Sequence, residues 1–83
     1  MAVSRRRIEH DGGRNLVIRF PFDRALVALV KSLPHRRWHG DEKYWSAPAT
    51  DVIEVVETMV PQGFQCDDGT ASLYREKGGS LSL

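Results

Sequence analysis

Eighty-three residues suffice for one domain with a single modest core, because a chain this short hides only about 60 % of its unfolded surface on folding. An apolar fraction of 41 % argues against wholesale disorder, and the longest uninterrupted apolar run, residues 25–30, falls far short of the roughly 20 residues that span a bilayer. The net charge of +1 hides an asymmetry: residues 1–45 carry ten Lys/Arg against five Asp/Glu, and residues 46–83 carry two against six. A basic half of this kind suits a polyanionic partner.

The opening "MAVSRRRIEHDGG" has cations but no apolar stretch after them, so it does not read as a signal peptide, and a cytoplasmic location is expected. Residues 5–9 alternate weakly and lead into "HDGGRN", a turn rich in residues that tolerate positive φ. "NLVIRF" (15–20) follows with Leu16, Ile18 and Phe20 on one face and Val17 and Arg19 on the other, the period of a strand. The two segments are expected to form an antiparallel hairpin.

Pro21 ends that strand and "FDRALVALVKSLP" reads as a helix. Asp23 is a suitable N-cap because its carboxylate can accept orphan first-turn amides. Leu26, Leu29, Val30 and Leu33 recur at helical spacing and predict the buried stripe, with Arg24 and Lys31 on the solvated side and Pro34 as the stop. "RRWH" and "KYWSAP", joined by "GDE", then read as two short strands with aromatic β propensity, closed by Pro48.

"ATDVIEVVETMVP" predicts a second helix. Asp51 and Glu54 stand in a capping-box-like relation, and Val52, Val55, Val56 and Met59 form its apolar stripe. Pro61 and Gly63 stop it, and "FQCDD" offers a last strand with Phe64 and Cys66 on one side. The remainder, "GTASLYREKGGSLSL", is polar and Gly/Ser-rich; Leu73–Tyr74 offers a weak strand, and 69–83 is expected to be a weakly ordered tail. The sum is one α+β domain over 1–83 with a core of about 5–67: a small antiparallel sheet with two helices on one face, in the order ββαββαβ.

Catalytic and metal constellations are not evident. Cys66 is the only cysteine, so no disulfide forms within the chain, and the three histidines lack metal-ligand spacing to one another. Asp41–Glu42 and Asp67–Asp68 fall in predicted turns, "DGG" and "EKGGS" lack the rest of a phosphate loop, and no nucleophile signature is present. No cofactor is expected and the chain does not read as an enzyme.

"RRWHGDEKYWSAP" (36–48) is different, for it interleaves cations with flat rings. Alternation puts Arg36 with Trp38 and Lys43 with Trp45 on one face, and Arg37, His39 and Tyr44 on the other. Cations that hold phosphate beside rings that stack on unpaired bases would bind nucleic acid. The same tryptophans equally suit the core of a small two-layer domain, leaving Arg37 and Tyr44 to water. The cations in turn suit a solvated face.

Residues 17–48, "VIRFPFDRALVALVKSLPHRRWHGDEKYWSAP", resemble the HARP (HepA-related protein) domain, a module found beside Swi/Snf-type annealing helicases and in some bacterial helicases and tyrosine recombinases. The pattern is met by Phe20-Pro21-Phe22-Asp23, Lys31, Pro34, Arg36 to Trp38, Lys43, Trp45 and Pro48, over about two-fifths of the chain. Phe22 stands where tyrosine is usual, and His39-Gly40 where Asp-Pro is common. The resemblance implies a non-enzymatic accessory module for single-stranded or branched DNA, read by shape and charge, with RNA as a second possible ligand. It also implies a helicase or recombinase as partner, and the short apolar runs noted above predict no membrane. The contacts it implies are Arg36, Arg37, Lys43 and Tyr44, extended by Arg19, Lys31 and the Arg5, Arg6, Arg7 arm, with the tryptophans as scaffold. The alternative from the residues themselves is a protein-interaction or oligomerisation module that uses a sheet edge.

Overall fold

Strand β1 (Arg7–His10) turns back on β2 (Asn15–Arg19) through "DGGR", and the turn is built by Asp11. Its Oδ1 accepts from the amides of Gly13 (2.7 Å) and Asn15 (3.2 Å), and Gly12 takes φ +82°, which a side chain would resist. Those two amide bonds also hold the Asp11 carboxyl below its ordinary range. The structure, a computed structural model, describes residues 5–83; residues 1–4, which the single-domain reading includes, lie outside it.

Five strands form one sheet in the order β3-β4-β2-β1-β5, where β3 is Arg37–His39, β4 Tyr44–Pro48 and β5 Gln65–Cys66. The expected hairpins β1–β2 and β3–β4 are both antiparallel. The sheet is nevertheless mixed rather than antiparallel, because β5 runs parallel to β1. Register sets Ile8 opposite Ile18 and Cys66, Leu16 opposite Ala47, and Ile18 opposite Trp45. These residues share one face, and the helices cover that face.

Helix α1 (Arg24–Lys31) begins as its sequence predicts: Asp23 Oδ1 accepts from the amides of Ala25 and Leu26 at 2.9 and 3.2 Å. Leu26 and Val30, with Leu33 beyond its end, are buried, and Leu29 is partly so. Helix α2 (Val52–Met59) buries Val52, Val55, Val56 and Met59 completely, each worth about 1.5–3 kcal/mol for a fully buried apolar side chain. The expected capping role of Asp51 is not realised. A 3-10 turn at Ala49–Asp51 leads into the helix, and the Asp51 carboxylate instead meets His35 Nδ1 at 3.0 Å.

The polar tail is corrected too. Residues Asp68–Glu76 form a third helix, α3, and Tyr74 is helical and fully buried rather than part of a weak strand. Thr70 is buried beside it, its hydroxyl donating to Ile8 O at 3.3 Å. The helix ends in a Schellman motif: Gly78 at φ +93° gives its amide to Arg75 O and Gly79 gives its amide to Tyr74 O. The element order is therefore ββαββαβα, with three helices on the sheet face instead of two.

Asp67 pins α3 to the sheet. Its carboxylate accepts from Thr70 N at 2.8 Å and from His10 N at 3.2 Å. Burial works to raise its pKa, but the hydrogen bonds from Thr70 and His10 outweigh it, and the group lies below the ordinary 3.8. A depressed carboxyl stabilises the fold above its unfolded pKa and loses that contribution as pH falls through its folded value. Asp67→Ala is expected to cost about 1–2 kcal/mol near neutral pH. That corresponds to a melting temperature lower by roughly 5–15 °C in a domain of this size. Below about pH 4 the difference from the parent should shrink, and a deficit as large in thermal melts at pH 2.5 as at pH 7 would contradict this account.

Candidate nucleic-acid interface

The helices leave the other face of the sheet bare, and alternation decides what stands on it. The face receives Arg7 and Glu9 from β1, Val17 and Arg19 from β2, Tyr44 and Ser46 from β4, and Arg37 and His39 from β3. Arg7 lies opposite Arg19, and His39 opposite Tyr44. The Arg19 guanidinium carbon sits 4.9 Å from the Tyr44 ring centroid, and the Tyr44 and His39 rings stack at 4.4 Å with 18° between their planes. Three flat groups from three strands thus form one layer, the cation–π contact adding about 0.5–1 kcal/mol at an exposed site.

A second row runs Glu9–Val17–Ser46–Arg37. Glu9 faces Arg19 Nε at 3.2 Å and Arg7 at 3.8 Å, so one carboxylate orders two guanidiniums. His39 Nε2 lies 2.7 Å from Ser46 Oγ. A hydroxyl beside an imidazole begins a nucleophilic arrangement, but activation also needs a third group to orient the base, and no carboxylate meets His39 among the described residues. Here the pair fixes the ring against Tyr44. Three arginines against one glutamate leave the face positive, with fixed rings between the charges.

On the helix side of the same hairpin an open groove of about 760 Å³ runs between α1 and β3–β4. Phe20, Val27 and Trp45 are among its lining residues, and Lys31 and Lys43 contribute cations. The two tryptophans, which alternation puts on this side, divide between the roles left open above. Trp45 is partly buried and packs on the core, whereas Trp38, on the edge strand, is 50 % exposed with its ring centroid 5.0 Å from that of Trp45. Phe22 is 85 % exposed beside them. Lys43 closes the hairpin, donating its amide to His39 O at 2.7 Å, with φ +57°.

The predicted contact residues fall into four groups. Arg7, Arg19, Arg37 and Tyr44 belong to the open face, though Tyr44 also reaches the groove lining that holds Lys31 and Lys43. Arg36 is exposed just before β3, and Arg5 is exposed ahead of β1. Arg6 is drawn into the fold, donating to Gln62 O at 2.6 Å and approaching Asp23 at 3.9 Å. Sequence reasoning missed Phe22 as a surface group, and it missed the His39–Ser46 pair. The latter was legible in principle, since facing strands of a short hairpin bring residues 39 and 46 to adjacent positions of one face.

Elsewhere, burial and then the neighbouring Asp67 carboxylate push the Cys66 thiol up to about 11, so it stays protonated and unreactive at neutral pH. Among the described residues no group of three His, Cys, Asp or Glu side chains could hold a metal ion, and no helix is long and apolar enough to cross a membrane. No protein-family model, curated protein or solved structure matches the chain.

Proposed function

We propose that this domain is a non-enzymatic nucleic-acid-binding module that holds single-stranded or branched DNA by its phosphates, without reading base sequence. The observation that carries this reading is the bare sheet face, where Arg7, Arg19 and Arg37 surround the stacked Tyr44 and His39 rings. Guanidiniums are suited to phosphate because their forked donors match its oxygens, and the stack of Arg19, Tyr44 and His39 holds one of them in place on the sheet. Arg36 and the exposed Arg5 extend the cationic surface to either side. The same contacts admit RNA, and the resemblance of residues 17–48 to HARP domains makes a helicase or recombinase the enzyme such a module would serve.

The alternative of a sheet edge that recruits another chain has less to work with. The two edge strands, β3 and β5, are three and two residues long, and short edges template poorly. Fluorescence anisotropy with labelled single-stranded, duplex and forked oligonucleotides tests the proposal. Affinity should fall steeply with salt, by a log–log slope of about −0.7 per phosphate contact on a single strand. Salt-independent binding, or none to any of the three at low salt, would sink it.

A further inference from the structure

The open face accounts for the arginines but leaves the groove on the other side of the hairpin unexplained. An aromatic ring that is 85 % exposed at Phe22 and a half-exposed Trp38 are apolar surface that folding has not covered. Trp38 is not loose: Trp45 supports it at 5.0 Å, and Trp45 in turn rests on the core. The cations beside the rings come from separate elements, Lys31 from the last turn of α1 and Lys43 from the hairpin turn. Neither makes an ion pair within 4 Å among the described residues, although Asp41 and Glu42 are close in sequence to Lys43.

Lys43 carries a second signal. At φ +57° it occupies the left-handed region, where glycine or asparagine would be relaxed and a lysine costs about 1 kcal/mol. A charged side chain is thus held at this rim in spite of the backbone it must adopt.

We propose that this groove is a stacking site for unpaired nucleobases, with Phe22 and Trp38 contacting the bases and Lys31 and Lys43 the flanking phosphates. The proposal rests on the nucleic-acid reading above and adds a second, base-dependent contact to it. Its volume falls in the range of about 300–1,000 Å³ typical of small-ligand pockets. Flat exposed rings with unpaired lysines match a nucleotide strand better than an aliphatic helix, which needs no cation. The site also lies one strand away from the arginine face, because β3 is the sheet edge. A strand passing around β3 would meet phosphate contacts on one side and the stacking groove on the other, whereas a duplex keeps its bases inside and gains nothing from the groove.

The test compares a labelled single strand of about ten nucleotides, a length within the span of common single-strand binding sites, with an abasic strand of equal length. Base stacking is worth about 1–3 kcal/mol per base, so the base-bearing strand should bind at least roughly fivefold tighter and quench tryptophan fluorescence. Phe22→Ser should shrink that advantage without lowering the melting temperature, since the ring is exposed, and Trp38 should account for what remains. Lys43→Gly should weaken both strands several-fold while leaving the fold as stable or more so. If both strands bind equally but with strong salt dependence, the groove proposal falls and the open-face reading stands. If neither strand binds, the nucleic-acid reading itself falls. If an acidic amphipathic peptide binds in a Phe22-dependent way and the base-bearing strand does not, the groove belongs to a protein partner and the proposal is overturned.

Discussion

Tyr74→Ala is expected to remove about 3–5 kcal/mol of stability, a large part of the roughly 4–12 kcal/mol available to a chain of this length. Tyr74 is the largest of the completely buried side chains. Its hydroxyl donates to Glu57 Oε2 at 2.8 Å and accepts from Leu81 N at 2.9 Å, so one residue ties α3 to α2 and to the segment that follows. Gly79 lies against the ring so closely that a Cβ would fall 2.2 Å from Cζ. Truncation therefore opens a cavity beneath two elements, and urea unfolding followed by circular dichroism should show either a much lower midpoint or no cooperative transition. Tyr74→Phe should cost only about 1 kcal/mol, because exposed Glu57 can turn to water. Gly79→Ala should destabilise by displacing the ring. If residues 69–83 can be deleted with stability unchanged, this account of α3 is wrong, and the weakly ordered tail that the composition suggests is right.

The second large effect is on binding. Arg36→Glu/Arg37→Glu should lower affinity for a single strand by about 30–100-fold at 0.1 M salt and flatten the salt slope by roughly 1.4. The double variant is a clean probe, because both arginines are exposed and neither forms an ion pair within 4 Å among the described residues. Exposed charge changes of this kind move stability little, so the melting temperature serves as the control for folding. Size-exclusion chromatography supplies the other arm. Loss of binding with an unchanged elution volume supports a nucleic-acid surface, while a changed elution volume with binding intact favours the sheet-edge alternative.

Elements whose pattern is local were legible in the sequence. Helix α1 announces itself by Asp23 and the stripe Leu26, Leu29, Val30, Leu33; Asp23 caps, and all of the stripe but the partly buried Leu29 is buried as its spacing implies. The alternation of residues 37–46 likewise fixed which side each aromatic would take. What escaped depends on partners far along the chain. Helix α3 buries Thr70 and Tyr74, a face too polar to register as an apolar stripe, and its stability comes from Ile8, His10 and Glu57. Asp51 lost its predicted cap to His35, sixteen positions away, which reaches it from a left-handed backbone turn at φ +58°. The exposure of Phe22 and Trp38 also depends on how far α1 extends over the hairpin, which no spacing encodes.

The parallel pairing of β5 with β1 has a kinetic meaning. Strand β1 sits inside the sheet, between β2 and β5, so the first strand of the described chain is completed only when its last strand arrives. Contacts such as Thr70 to Ile8, 62 positions apart, close nearly the whole chain into one loop, and loops of that span must be ordered before their contacts return any stability. A nascent chain emerging from a ribosome can form the β1–β2 hairpin and α1 early, but it cannot seal the inner strand's second edge until residue 66 is free. The inner strand's last pairing is thereby left to a late step, and until then its free edge is open to pairing with other chains.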